Sequence, residues 1–147
     1  MPFNTEVHSS RKYRLGTRKF AANGNQYIYL KGVASTIAGA WVSFDELFAS
    51  ALADTDTAAT VLGFLAIAQA AVDSTTEFGW YLVSGSGSAG AATVADNAKV
   101  FVSAAAGVCD DTGTAGLQVV GAVWRSTDTA ALATVQIHNP FVGVNVA

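Results

Sequence analysis

Charge is the scarcest ingredient of this sequence: only 13% of its 147 residues are Asp, Glu, Lys or Arg, about half the share of an ordinary soluble domain. A surface built from it must be finished with Ser, Thr, Gly, Asn and Ala. Such a surface is poorly defended against association, so much of it is expected to lie against partners. Cysteine is almost absent. The single Cys109 excludes an internal disulfide, and no Cys or His stands beside it at a zinc-binding spacing. The two histidines, His8 and His138, sit at opposite ends of the chain and neither belongs to a ligand motif. Pro2 and Pro140 are the only prolines, placed where neither breaks a central strand. Long hydrophobic runs are also missing. The longest, residues 61–72, is interrupted by Gln69 and too short to span a bilayer, and the N-terminus lacks the apolar stretch of a cleaved signal. No membrane partner is expected.

What is present is a series of short strand-like runs separated by turn residues. Residues 17–22, then Asn23-Gly24, then residues 25–32 predict a hairpin, because Asn-Gly tolerates the positive φ of a tight turn. Tyr27 and Tyr29 alternate with Ile28 and Leu30, the two-residue period of a sheet. Residues 40–46, 79–85, 98–104, 116–126 and 130–141 read as further strands, and 61–72 is assigned to a strand because Gly63 disfavours a helix there. Leu47, Phe48 and Leu52 are spaced for one face of a short helical stretch ended by Asp54-Thr55-Asp56. The pattern predicts an all-β fold, a small β-barrel or β-sandwich of short antiparallel strands with an extended N-terminal arm. Residues 1–16 form the arm and residues 17–147 a single β-rich domain.

One motif points elsewhere. Gly85-Ser86-Gly87-Ser88-Ala89-Gly90 is a literal G-x-G-x-x-G after an apolar run, with Asp110-Asp111 about twenty residues beyond. A dinucleotide site needs a helix starting at the third glycine, whose amide ends hold the pyrophosphate. Here Asp96-Asn97 interrupts the following residues and Val100-Phe101-Val102 is β-like. The hexad is therefore read as a flexible loop joining two strands, and no cofactor is expected. Asp54, Asp56, Asp110 and Asp111 have too few companions for a calcium loop and read as turn formers. Neither a catalytic nor a metal-ligating residue is assigned. Trp41, Trp80 and Trp124 suit a core or interface better than a ligand platform.

Charge is also unevenly placed. Residues 1–19 hold Arg11, Lys12, Arg14, Arg18 and Lys19 against Glu6, a net +4, and the remainder carries −7. A basic arm ahead of an acidic body suits docking on a negative surface, whereas the acidic body argues against nucleic acid as the partner.

Residues 15–32, 77–85 and 120–141, with Leu15-Gly16, the Tyr27-x-Tyr29 strand, Phe78-Gly79-Trp80 and Asn139-Pro140 as the telling motifs, resemble the head-decoration (capsid cement) proteins of tailed bacteriophages. The resemblance runs loosely from Leu15 to Phe141. It does not account for the N-terminal arm or residues 142–147, and the helical stretch near 45–52 departs from it. It implies a non-enzymatic, β-rich virion protein, often a homotrimer (a dimer being the alternative), bound through the major capsid protein to the exterior of the head. On that reading the arm reaches a neighbour, the candidate capsid contacts are Arg11, Lys12, Tyr13, Arg14, Arg18 and Lys19, and deleting residues 1–14 leaves the body folded. The competing expectation is a virion carbohydrate- or receptor-binding β module using Trp41, Trp80 or Trp124.

Overall fold

The structure, a computed structural model, describes residues 3–54, 63–113 and 117–142. Its described residues form an all-β antiparallel fold of the barrel-and-sandwich class. Strands β1 (Val7–His8), β2 (Arg18–Phe20), β3 (Gln26–Lys31), β4 (Trp41–Phe44), β5 (Ser50–Leu52) and β6 (Gly63–Ala68) are followed by β7 (Phe78–Gly90), β8 (Lys99–Val102), β9 (Cys109–Asp110), β10 (Gln118–Trp124) and β11 (Leu132–Val142). They make one sheet in the order β2-β3-β7-β6-β11-β10-β8-β9, with β1 added to β7 and the β4–β5 pair added to β6. The sheet is open, not a closed barrel, although a bridge between Ala91 and Cys109 brings β9 beside the end of β7.

Two long strands form the spine. The second half of β7 pairs with β11 from Leu132↔Gly90 to His138↔Ser84. Strand β11 then changes partner and meets β6 at Phe141↔Phe64. Bulges allow the handover, since an extra residue bends a strand and raises its twist. The β10–β11 register shifts between Val120 and Ala122, with Gly121 at φ +84° and Asn139 at φ +42°. Pro140, which cannot donate to a ladder, falls in this gap.

Strands β3, β6 and the first half of β7 are buried on both faces, so their apolar residues run without alternation. Trp41, Leu65, Ile67, Trp80 and Leu82 belong to the larger core with Val135 and Ile137. Ile28, Leu30, Val42, Ala66, Tyr81 and Val83 form a second core on the other face, covered in part by Phe48, Leu52 and Val72. Strand β11 instead alternates between Ala133, Val135 and Ile137 inward and Thr134, Gln136 and His138 outward, as a strand with one solvated face should.

Three local expectations are corrected. The β2–β3 hairpin forms, with Arg18 opposite Ile28, but its loop is three residues and not a two-residue Asn-Gly turn. Ala21 N donates to Asn25 O, Gly24 N donates to Ala21 O, and only Gly24, at φ +89°, takes positive φ in the loop. Residues 45–52 are not helical. Asp45 Oδ1 accepts from Leu47 N at 3.0 Å and Ala49 N at 3.1 Å, a side chain turning its own backbone, and β5 then pairs back on β4 with Val42 opposite Leu52. Finally, Gly85–Gly90 is not a loop but the second half of β7. Of the run at 61–72, Gly63–Ala68 is strand, while Val61 and Leu62 lie outside the described residues, as do Asp56 and residues 143–147.

Candidate functional site

The basic N-terminal segment is strapped to the body. Strand β1 pairs with the first residues of β7, Val7 with Gly79 and His8 with Phe78. Gly79 is required there, because a Cβ would stand 2.6 Å from the Val72 side chain. Phe3 packs edge-on against Tyr27 (5.5 Å) and Trp80 (5.3 Å). Tyr13 does the same against Tyr29 (5.3 Å) and lies 5.2 Å from Trp80. Lys19 closes the box from outside, its Nζ 4.8 Å from the Phe3 and Tyr13 ring centres and 5.4 Å from that of Trp80. Each such edge-to-face or cation–π contact is worth about 0.5–1.5 kcal/mol. Polar ties add to them. His8 Nδ1 lies 2.9 Å from the Tyr29 hydroxyl, His8 Nε2 lies 3.0 Å from Glu6 Oε2, and Lys12 N donates to the same tyrosine hydroxyl at 3.2 Å. Burial pushes the Tyr29 hydroxyl above its ordinary pKa, with the Lys12 amide opposing the shift.

The six residues singled out from sequence therefore divide. Arg11, Lys12 and Arg14 are exposed, and among the described residues the ion pair found is His8–Glu6, which involves none of the three. Tyr13 and Lys19 belong to the aromatic box. Arg18 donates from Nη1 to Asn139 Oδ1 at 3.0 Å and lines a groove of about 640 Å³ with Phe44, Phe48, Phe64, Asp45 and Glu46. Removing residues 1–14 would strip Phe3 and Tyr13 from Tyr27, Tyr29 and Trp80, so that deletion is not neutral for the body.

Sequence reasoning missed two features. Lys31, at the end of β3 and opposite Phe78, shares an open groove of about 470 Å³ with Arg11, Leu15, Thr75, Thr76 and Phe78. An aromatic stripe also runs over the surface: Phe44 lies 6.2 Å from Phe64, and Phe64 lies 6.3 Å from Phe141. Phe64 is 56% exposed and Val120, opposite Phe141, is 51% exposed. The available signal for the stripe was the alternation Phe64, Ala66, Ala68, which puts Phe64 on the β6 face where its smaller neighbours pack.

Other chemistry finds no support in the geometry. The glycines of the hexad serve close packing. Gly85 takes φ +119° where the Asn25 side chain bridges to Ser86, its Nδ2 donating to Ser86 O at 3.0 Å. Gly90 N donates to Gly39 O at 2.8 Å, Gly90 O accepts from Trp41 Nε1 at 3.1 Å, and a Cβ there would lie 2.8 Å from Gly107 O. Trp41, Trp80 and Trp124 are each at most 1% exposed, so none offers a face to a sugar. Cys109 is buried, and burial, with Asp110 adding to it, holds its thiol well above the usual range. Ser84 Oγ lies 3.1 Å from His138 Nδ1 in a pair open to solvent, and among the described residues no carboxylate is bonded to the imidazole as in a triad. Among the described residues no three His, Cys, Asp or Glu cluster to hold a metal. Asp110 Oδ1 accepts locally from Asp111 N at 2.7 Å, whereas Asp111 Oδ2 accepts from Ala95 N at 3.0 Å, sixteen residues away, and ties two loops together. Comparison with protein-family models, curated proteins and solved structures finds no match for this chain.

Proposed function

We propose that this chain is a structural virion protein that binds the exterior of a tailed-phage head through the major capsid protein and clamps coat-subunit junctions. The observation that carries the reading is the fixed cationic face. Arg11, Lys12 and Arg14 are exposed and form no ion pair among the described residues on a segment tied to the sheet, while residues 20–147 carry −7. Such a face favours an acidic lattice and speeds encounter with it. A rigid presentation also lowers the ordering cost of docking. The sequence resemblance points the same way.

The role is non-enzymatic and mass action supplies the effect. A ligand that binds the mature shell and not its ruptured state stabilises it by RT ln(1 + [L]/Kd), about 2.7 kcal/mol per site at a hundredfold excess over Kd. The stripe of Phe64, Phe141 and Val120 supports self-association, as contiguous exposed apolar surface does, and the assembly proposed is a homotrimer. A carbohydrate- or receptor-binding module is not favoured, because its tryptophan platform is buried.

Quantitative mass spectrometry of purified virions is the test. Copy number comparable with the coat is expected, and absence from the particle would end the reading. A second arm adds the protein to undecorated heads. Reversing Arg11, Lys12 and Arg14 together to Glu is expected to abolish binding without unfolding the chain, and undiminished binding would remove this face from the proposal.

A further inference from the structure

We propose that the outer face of the sheet around β6 packs against a second copy of this chain, with the Phe44, Phe64 and Phe141 rings in the contact and Arg18 of one copy paired to Glu46 of the next. This rests on the self-association proposed above and assigns the residues that make it.

The rings come from strands far apart in sequence. Phe44 stands directly opposite Phe64, and Phe64 directly opposite Phe141, across the β4–β6 and β6–β11 ladders. Phe48 extends the row, its ring 6.4 Å from that of Phe44 with the planes 26° apart. Phe44 and Phe48 also pack on the second core, so the base of the row is fixed by the fold. Arg18 and Phe20 stand two apart on β2 and share a face, while Lys19 between them turns to the aromatic box on the other. Phe20 is 72%, Phe64 56% and Phe141 39% exposed. At about 200 Å² per side chain, that leaves roughly 330 Å² of these residues in water. A stable interface takes about 800 Å² from each partner, so these three supply a large part before Val120 is added.

Charge selects the partner. A groove of about 640 Å³ beside the row is lined by Phe44, Phe48 and Phe64 together with Arg18, Asp45 and Glu46. Arg18 gives one N–H to the neutral Asn139 and is in no ion pair among the described residues, so its other donors remain for a carboxylate. Glu46 is exposed, and among the described residues no hydrogen bond or ion pair engages its carboxylate. Asp45 keeps its charge while Oδ1 accepts from Leu47 N and Ala49 N. The groove thus carries both signs. A purely acidic partner would meet Asp45 and Glu46, and a purely basic one would meet Arg18. A copy of the same face carries both signs too. In a closed ring, the Arg18 side of each copy meets the Glu46 side of the next, and the pair fixes the register of an otherwise apolar contact.

The test is sedimentation velocity of the full-length protein over a wide concentration range. The wild type is expected to associate into a closed oligomer. Phe64→Ser should abolish association with circular dichroism unchanged, because the ring is largely exposed. Arg18→Glu and Glu46→Arg are each expected to weaken association at least tenfold, with high salt narrowing the difference from wild type. The double variant Arg18→Glu/Glu46→Arg should restore it, since swapping both charges in a copy rebuilds the pair. Lys99→Glu, on exposed β8, should leave association unchanged. A monomer at every concentration, association indifferent to Phe64→Ser, or a double reversal no better than the single ones would overturn the proposal. Failure here is distinct from failure of the head reading. A chain present in virions at coat stoichiometry but monomeric in solution loses this interface and the homotrimer, whereas an associating chain absent from virions loses only the head.

Discussion

Tyr13→Ala separates a strapped segment from a free arm. Tyr13 touches Tyr29 at 5.3 Å, Trp80 at 5.2 Å and Lys19 at 4.8 Å. The two aromatic pairs are worth about 0.5–1.5 kcal/mol each and the cation–π contact about 0.5–1 kcal/mol. Tyr13 is only partly buried, so we take about 2 kcal/mol for the group, or roughly thirtyfold in the population of the opened segment. Trypsin provides the assay, because Arg11, Lys12 and Arg14 flank Tyr13 and the substitution leaves those sites intact. Where reclosing outpaces cleavage, the rate follows the open population. The wild-type segment should be cut slowly, and the variant about thirtyfold faster at these three positions, with circular dichroism showing the body still folded. Wild-type protein cut as fast as an unstructured peptide, or a variant cut no faster than wild type, would refute the argument. Either result would mean that the segment is a loose arm and not strapped to the body.

Three further outcomes follow from the buried polar and glycine positions. The Tyr81 hydroxyl is buried without a partner, and burial pushes its pKa from 10.0 up to about 12; Ser50 opposes the shift but its hydroxyl is committed to Lys31 O at 2.6 Å. A folded-state pKa above the unfolded one means that stability is intact below about pH 10 and falls as pH rises towards 12, by roughly 3 kcal/mol in all. Tyr81→Phe should therefore match wild type within about 1 kcal/mol at neutral pH and gain on it between pH 10 and 12 in denaturant titrations, whereas parallel curves would contradict the burial argument. Cys109, buried with a raised thiol pKa, should resist an aromatic disulfide reagent in the native protein and react once per chain after unfolding, since the thiolate is the reactive form; fast native labelling would be inconsistent with its packing. Gly90→Ala forces a methyl to 2.8 Å from Gly107 O and should cost about 2 kcal/mol, more than Gly24→Ala, which meets no neighbour and bears only the strain of φ +89° at about 1 kcal/mol; the opposite order of denaturation midpoints would show that Gly90 is not at a close crossing.

The features legible in the sequence were those set by neighbours along the chain. Tyr27 to Leu30 alternate between the two cores as their period predicted, and the β2–β3 hairpin follows from Gly24 and the runs beside it. Errors arose where a distant strand outweighed local propensity. Glycine and serine in Gly85–Gly90 favour a loop, yet pairing with β11 from Leu132 to Ile137 holds the hexad extended, because strand formation is decided chiefly by cross-strand partners. The spacing of Leu47, Phe48 and Leu52 resembled a helix face. Asp45 bent the chain instead, and β4 recruited residues 50–52 into a ladder. Phe48 takes φ +61°, which a helix would not permit.

The candidate surface was legible in its charge but not in its attachment. Net charge is a sum over sequence, so the excess of cations before residue 20 could be counted directly. Whether those cations ride on a loose tail or a fixed face depends on contacts with Tyr27, Tyr29 and Trp80, which no local pattern reveals. The attachment changes the physics of docking. A loose arm loses conformational entropy when it binds, at about 1–2 kcal/mol per residue of backbone fixed. The strapped segment has already lost that freedom on folding, through β1 pairing and the Phe3–Tyr13–Lys19 box. The aromatic box that holds Arg11, Lys12 and Arg14 in place therefore bears on docking as well as on stability. Tyr13→Ala should accordingly weaken head binding while leaving every cation in place, whereas a loose arm would bind equally well without the ring.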